Sequence, residues 1–302
     1  MSLARLASTL LCSLVVATGA LVAPAQADEV INPTPLDPVI GVLPAAPVPH
    51  SPYSGPVCPD GDPSCIEDVI TEMQDRLAPL AASCDHDSIF ALAYLRVTEN
   101  VKAAADSGYF ADRTWLTQLD AVFAESYFHT VDAWNAGRTN EVPRAWRIAL
   151  SASDDRSLTG LGDFMVNMNA HINHDFPHAL ATVGLTAADG STHKPDHNAY
   201  NQRLDSLYGP VFEEEAERFD PTFDDIDAGP LEETAAGVIM RGWREMVWRH
   251  AENLATARTP LQRRLAEQSV EEYAATQGEM IRQVFRSTDG SAARDAWCAD
   301  HG

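Results

Sequence analysis

Three histidines and a carboxylate fall within eight residues, His171-Ile172-Asn173-His174-Asp175-Phe176-Pro177-His178. If this segment is helical, His171 and Asp175 stand one turn apart and reach a common point. That is the geometry of a shared metal ion or of a proton-transfer pair. On a wheel of about 100° per residue, Leu161, Met165, Met168 and Ile172 form the apolar face. His171 and Asp175 lie inside that face or at its edge, while Asn167 and His174 fall further round on the polar side. An aspartate aimed at a core is costly unless it is paired, hydrogen-bonded or bound to a cation.

A metal ion needs more donors than one helix supplies. His129 lies beside the stripe Leu119, Val122 and Ser126, and His250 lies on the stripe Trp243, Met246, Val247 and Leu254. Three helices then direct nitrogen or oxygen donors at one interior, and the expected metal set is His129, His171, Asp175 and His250. Zinc or another first-row divalent ion suits this mixture of imidazole and carboxylate. A ferritin-like di-iron site does not, because the chain has no Glu-x-x-His. Such a metal would polarise a substrate oxygen or lower the pKa of bound water, so metal-dependent hydrolysis of an unspecified substrate is the expected reaction class. The alternative is a non-catalytic extracellular or envelope binding protein in which His171 and Asp175 form a structural hydrogen-bond network. His174, His178, Asn167 and His197 are candidate pocket-lining residues. Nucleophile-elbow, His-Glu-x-x-His, phosphate-loop and dinucleotide motifs are all absent.

The elements that must position these residues are helices. Arg5, an apolar run from Leu10 to Val22, and Ala25-Gln26-Ala27 have the order of a secretory signal peptide cleaved after Ala27. The run is too short to span a bilayer, no later stretch approaches the roughly 20 apolar residues that spanning needs, and Cys12 lacks the small residues that precede a lipidated cysteine. Prolines 33, 35, 38, 44, 47, 49, 52 and 56 then make residues 28–57 an extended, semi-rigid linker. From residue 58 to 302, apolar residues recur at helical spacing. Ser64 with Glu67 forms a capping-box pattern, Asp85 or Asp87 caps a second helix, Asp112 a third, and Thr259-Pro260 opens the last. Pro177 should end or kink the helix that carries the histidines. Long amphipathic helices with short connections define an all-α, single, multi-helix, bundle-like domain.

The chain carries 21 Lys plus Arg against 44 Asp plus Glu, a net charge of −23, and loss of the leader removes only Arg5. Such a surface repels phosphate backbones, which excludes stable nucleic-acid binding. Cys58, Cys65, Cys84 and Cys298 remain after processing, an even number in an exported chain. Of the three possible pairings, Cys58 with Cys65 and Cys84 with Cys298 is the expected one.

The run Asn169-Ala170-His171-Ile172-Asn173-His174-Asp175-Phe176-Pro177, with Phe128-His129-Thr130 upstream and Trp248-Arg249-His250 downstream, resembles a mainly actinobacterial family described only as a domain of unknown function. The resemblance covers roughly residues 66 to 257. It implies an all-helical domain with a polar centre at His171, Asp175 and Pro177, with His129 and His250 as further matches, and no activity to carry over. A more distant similarity is to helical zinc-dependent phospholipases and single-strand nucleases, which place His-x-x-x-Asp on a helix. Here Pro177 and His178 follow that pair too closely to match their pattern.

Overall fold

The computed structural model describes residues 34–223, 230–286 and 291–301, with the side chains of 230–235 excepted. The expected leader lies outside the described residues. Helix α1 spans Asp37–Val42, α2 Ser64–Ser83, α3 Ser88–Asp106, α4 Arg113–Asn135 and α5 Arg144–Asp154. Helix α6 spans Gly160–Asn169 and passes through a π-helical segment, Ala170–Asp175, into α7, Phe176–Val183. Then follow α8 (Lys194–Asp205), α9 (Tyr208–Arg218), α10 (Pro230–Thr256), α11 (Pro260–Val284) and α12 (Ala292–His301). Among the described residues there is no β-strand, only isolated bridges joining Leu158 to Arg286 and Thr186 to Thr192. The protein is therefore an all-α domain.

Two of the expected helix starts form as read; α3 begins after Asp87, whose side chain makes no cap bond, its own amide donating to Asp85 Oδ1 at 3.0 Å. Asp112 accepts the Trp115 amide at 2.9 Å, and Thr259 with Gln262 completes a capping box, each satisfying amides that a helix start leaves unpaired. Ser64, by contrast, is already the first residue of α2. Its amide donates to Asp62 Oδ1 at 2.9 Å, Pro63 holds the N-cap position without a side-chain cap bond, and the Ser64–Glu67 box does not form.

The π segment sits at the centre, in contact with α4, α5, α10 and α11. The core around it is aromatic and fully enclosed, Trp146 and Trp248 among its largest side chains. Two disulfides, Cys58–Cys65 and Cys84–Cys298, join the expected partners.

The described part of the Pro-rich segment, from Thr34 onward, lies along the domain as a strap. The Thr186 hydroxyl donates to the Val48 carbonyl at 2.7 Å, Ala46 N donates to Glu252 Oε1 at 2.6 Å and Arg249 Nη1 donates to the Pro44 carbonyl at 2.8 Å. Ile40 and Val48 are buried. Proline-rich backbone has few amides to satisfy and loses little entropy on ordering, so a handful of anchors fixes it. At Gly184 the chain ends α7 with φ +103°, and a Cβ there would stand 2.9 Å from the Ser51 carbonyl of the strap. Glycine permits both the turn and the close approach.

Candidate functional site

Thr159 caps α6, and the helix runs regularly to Asn169 before widening. Pro177 explains the widening in part. In a regular helix its ring would collide with the carbonyl four residues back, and its missing N–H would break a bond. The i→i+5 turn ahead of it moves that carbonyl, so the helix passes Pro177 and continues to Val183 instead of ending there. Asn173 Nδ2 bonds Asn169 Oδ1 at 2.9 Å, and Asn169 Nδ2 bonds the Ala274 carbonyl on α11 at 2.9 Å. Wide turns of this kind recur at functional sites.

Within the segment, Asp175 gathers three donors. His171 Nδ1 meets Oδ2 at 3.0 Å, Trp146 Nε1 donates to the same oxygen at 2.8 Å, and His174 Nδ1 meets Oδ1 at 2.7 Å. His174 Nε2 in turn stands 3.1 Å from Glu271 Oε2. Burial would raise the Asp175 pKa, but the bonds from His171 and His174 outweigh it and hold it at about 2. Burial would lower His174, yet Asp175 and Glu271 lift it to about 9. Burial keeps His171 below its ordinary range against the pull of Asp175. At neutral pH the network is an ionised Asp175, a protonated His174 and a neutral His171 whose proton sits on Nδ1, leaving Nε2 as an acceptor.

The His171 ring lies flat on Phe123, centroids 3.6 Å apart and planes 6° from parallel, with Tyr94 across its edge at 4.4 Å. These rings line a cavity of about 130 Å³ bounded by residues of α3, α4, α6, the π segment, α7, α8, α9 and α10. The wall is mostly aromatic and aliphatic. Residues of this wall carry five buried polar atoms with no hydrogen-bond partner among the described residues: His171 Nε2, Tyr94 Oη, Asp120 Oδ2, His197 Nδ1 and Tyr208 Oη. Burial raises the Asp120 carboxyl to about 7 and pushes the Tyr94 phenol well up. His197 is lowered by burial and by the Arg244 charge, and its Nε2 meets the Arg244 carbonyl at 3.0 Å.

The four residues expected to share a metal are not brought together. His129 is exposed on α4. His250 is buried beside Tyr273, ring centroids 5.4 Å apart, and is not part of the cavity wall. Only His171 and Asp175 meet, and the Asp175 oxygens are occupied by N–H donors. Among the described residues no three His, Cys, Asp or Glu side chains are grouped so as to hold a metal ion. His129, His171, Asp175 and His250 therefore form no such group among the described residues.

Of the pocket candidates, His197 lies on the cavity. Asn167 is buried with its amide on the Asp163 carbonyl at 2.8 Å. His174 and His178 pack together at 5.2 Å on the far side of Asp175, and burial with the His174 charge lowers His178 to about 4. Sequence reasoning passed over Tyr94, Asp120 and Arg244. Asp120 did carry a signal, because it shares the helical face of Leu116, Phe123 and Tyr127, an inward carboxylate by the same criterion that singles out Asp175.

The fold and the cavity define a disulfide-linked helical domain enclosing a small apolar chamber with a few buried polar atoms. The chain belongs to the DUF5995 family, a family of unknown function, whose model matches residues 66–284. Comparison with curated proteins and with solved structures gave no match. The disulfides fit an extracytoplasmic location, and among the described residues no helix is long and apolar enough to cross a membrane.

Proposed function

We propose that this protein binds a small, mostly apolar molecule in the cavity beside His171. The observation that carries this reading is the gathering of five unpartnered buried polar atoms on one apolar wall. A buried polar atom without a partner costs roughly 1–3 kcal/mol; others lie elsewhere among the described residues, but these five belong to residues of one cavity wall. Placed around a cavity, they are groups that a ligand satisfies, and they fix its orientation. The Asp175 network behind His171 holds the imidazole in one tautomer and one pose. A cavity of about 130 Å³ is close to the ~150 Å³ of an engineered apolar cavity that takes up benzene, so a single ring or a short chain is the fitting size.

Titration of the full chain with benzene and with phenol, followed by thermal unfolding, tests the proposal. A saturable rise in Tm is expected, reflecting a stabilisation of about 2.7 kcal/mol at a hundredfold excess over Kd. Val97→Phe, which fills the cavity, removes the response. A Tm indifferent to every ring-sized probe overturns the reading.

One observation favours a second reading, hydrolysis by acid–base chemistry. His171 presents Nε2 to the cavity with Nδ1–H held by Asp175, the orientation of a general base, and Asp120 near 7 is poised as an acid. Turnover of a chromogenic aryl ester, lost in His171→Gln while the Tm response to phenol persists, supports it. Equal turnover in His171→Gln overturns it.

A further inference from the structure

Arg244 on α10 lines the cavity and is only 6 % exposed. Two of its nitrogens are engaged, both by neutral oxygens: Nε donates to Asn201 Oδ1 at 2.6 Å, and Nη2 donates to the His197 carbonyl. The guanidinium lies 5.5 Å from the Phe176 ring centre and 5.9 Å from that of Tyr200. No carboxylate pairs with it among the described residues. The titratable side chains that bear on it are Tyr200 and Tyr208 and, after them, the cation Arg241.

This is unusual within the same region. Lys194 faces Glu245 at 2.8 Å, and Arg241 faces Asp205 at 2.7 Å. In a chain with 44 acidic residues, counter-charge is abundant, yet none reaches Arg244. Removing a cation from water costs several kcal/mol unless something compensates it. Burial lowers the Arg244 pKa only to about 10, so the side chain stays charged at neutral pH.

We propose that the cavity ligand is a small organic carboxylate whose anionic head pairs with Arg244. The inference rests on the cavity reading above and adds the ligand's charge. A planar guanidinium matches a carboxylate in geometry as well as charge. The apolar body of the acid lies against Phe176 and Tyr200, and the cavity volume limits it to one ring or a short chain. A cationic ligand held by Asp120 is the weaker fit, because the buried Asp120 carboxyl is largely neutral up to about pH 7 and demands no counter-ion.

Calorimetric titration of the full chain at pH 7 with benzoate and hexanoate, each against its neutral amide, and with benzylamine tests the proposal. Each acid is expected to bind at least about tenfold tighter than its amide, the scale of one charge-assisted contact. Arg244→Met is expected to erase that preference while leaving amide binding within about threefold, and Arg244→Lys to retain part of it. Acid and amide binding equally well, or benzylamine binding best, overturns the carboxylate and leaves the cavity reading standing. No binding of acid, amide or benzene removes both. If Arg244→Met does not fold, the ratio of acid to amide in the unmodified protein decides the matter by itself.

Discussion

His171 and Asp175 hydrogen-bond at 3.0 Å inside a wide i→i+5 turn, although their separation of four residues is one that a regular helix also brings within reach. The wide turn contains one more residue than a regular one, and it sets the rotation of everything downstream. Closing it to a regular turn would rotate α7 by about 100°. Phe176 would then leave Phe123, with which it stacks at 4.6 Å, and the cavity would lose the wall that joins His171 to Arg244. The wide turn therefore sets the rotation that gives the cavity its Phe176 wall, while His171 and Asp175 remain in contact.

Asp175 accepts from two buried donors, His171 and Trp146, and from the partly buried His174, and Asp175→Ala removes all three bonds. Breaking a buried charged network by removing one partner costs about 3–5 kcal/mol. Chemical denaturation at pH 7 is expected to show a loss of that size with an unchanged m-value. A loss below about 1 kcal/mol would mean that the network contributes orientation and little stability.

Asp120 makes the opposite contribution. Its carboxyl titrates near 7 in the folded chain against an ordinary 3.8, so the folded state keeps a proton that the unfolded state releases. Stability contributed at this position therefore falls as pH rises from about 4 to 7 and is level above that. Asp120→Asn cannot titrate, so it is expected to match the parent protein at pH 4 and to exceed it at pH 8, by up to about 4 kcal/mol. Unfolding curves at the two pH values check the difference. Equal stability at pH 8 would show that Asp120 is ionised and solvated in the fold.

His174 is held near 9 by Asp175 and Glu271. A raised histidine pKa stabilises the fold fully below its unfolded value of 6.5, and the contribution disappears as pH climbs through 9. Glu271→Gln is expected to lower the His174 midpoint in an NMR titration and to cost about 0.5–1.5 kcal/mol below pH 6.5, with no cost above pH 9. An unmoved midpoint would assign the whole shift to Asp175.

Much of this architecture is legible in the residues, because helix starts and apolar stripes are local. Asp112 and Thr259 cap where their types and spacing say they should. The π turn is not legible, since no residue type marks an i→i+5 bond; Pro177 signals only that a regular helix cannot pass. His129 misleads for a different reason. It borders an apolar stripe at a helix edge, and a rotation of a few tens of degrees decides whether such a side chain faces core or solvent. Arg244 follows Trp243 and precedes Trp248 by four, a position that looks like a flank until neighbouring helices close over it. Charge pairing across helices is a tertiary property, so the absence of a carboxylate beside Arg244 is visible only in the fold.

The Cys84–Cys298 disulfide closes a separation of 214 residues and fastens α12, which contributes little to the cavity but much to an adjoining polar cluster. Arg294 Nη2 donates to the Asp85 carbonyl at 2.6 Å, and Asp295 Oδ1 stands 3.1 Å from His86 Nε2, whose other nitrogen meets Asp163 Oδ2 at 3.1 Å. Replacing both cysteines by serine frees the end of the chain in the unfolded state and loosens α12 in the folded one. The chain-entropy model assigns a loop of this length about 4–5 kcal/mol, so a clear fall in Tm is expected. The cavity wall runs from Phe90 to Arg244 and includes no residue of α12. Ligand affinity at 10 °C, well below unfolding, is therefore expected to stay within about twofold of the parent value, since sites with no shared partners act independently. Loss of binding in the folded double-serine variant would show instead that α12 braces the α3 wall of the cavity through His86 and Ser88.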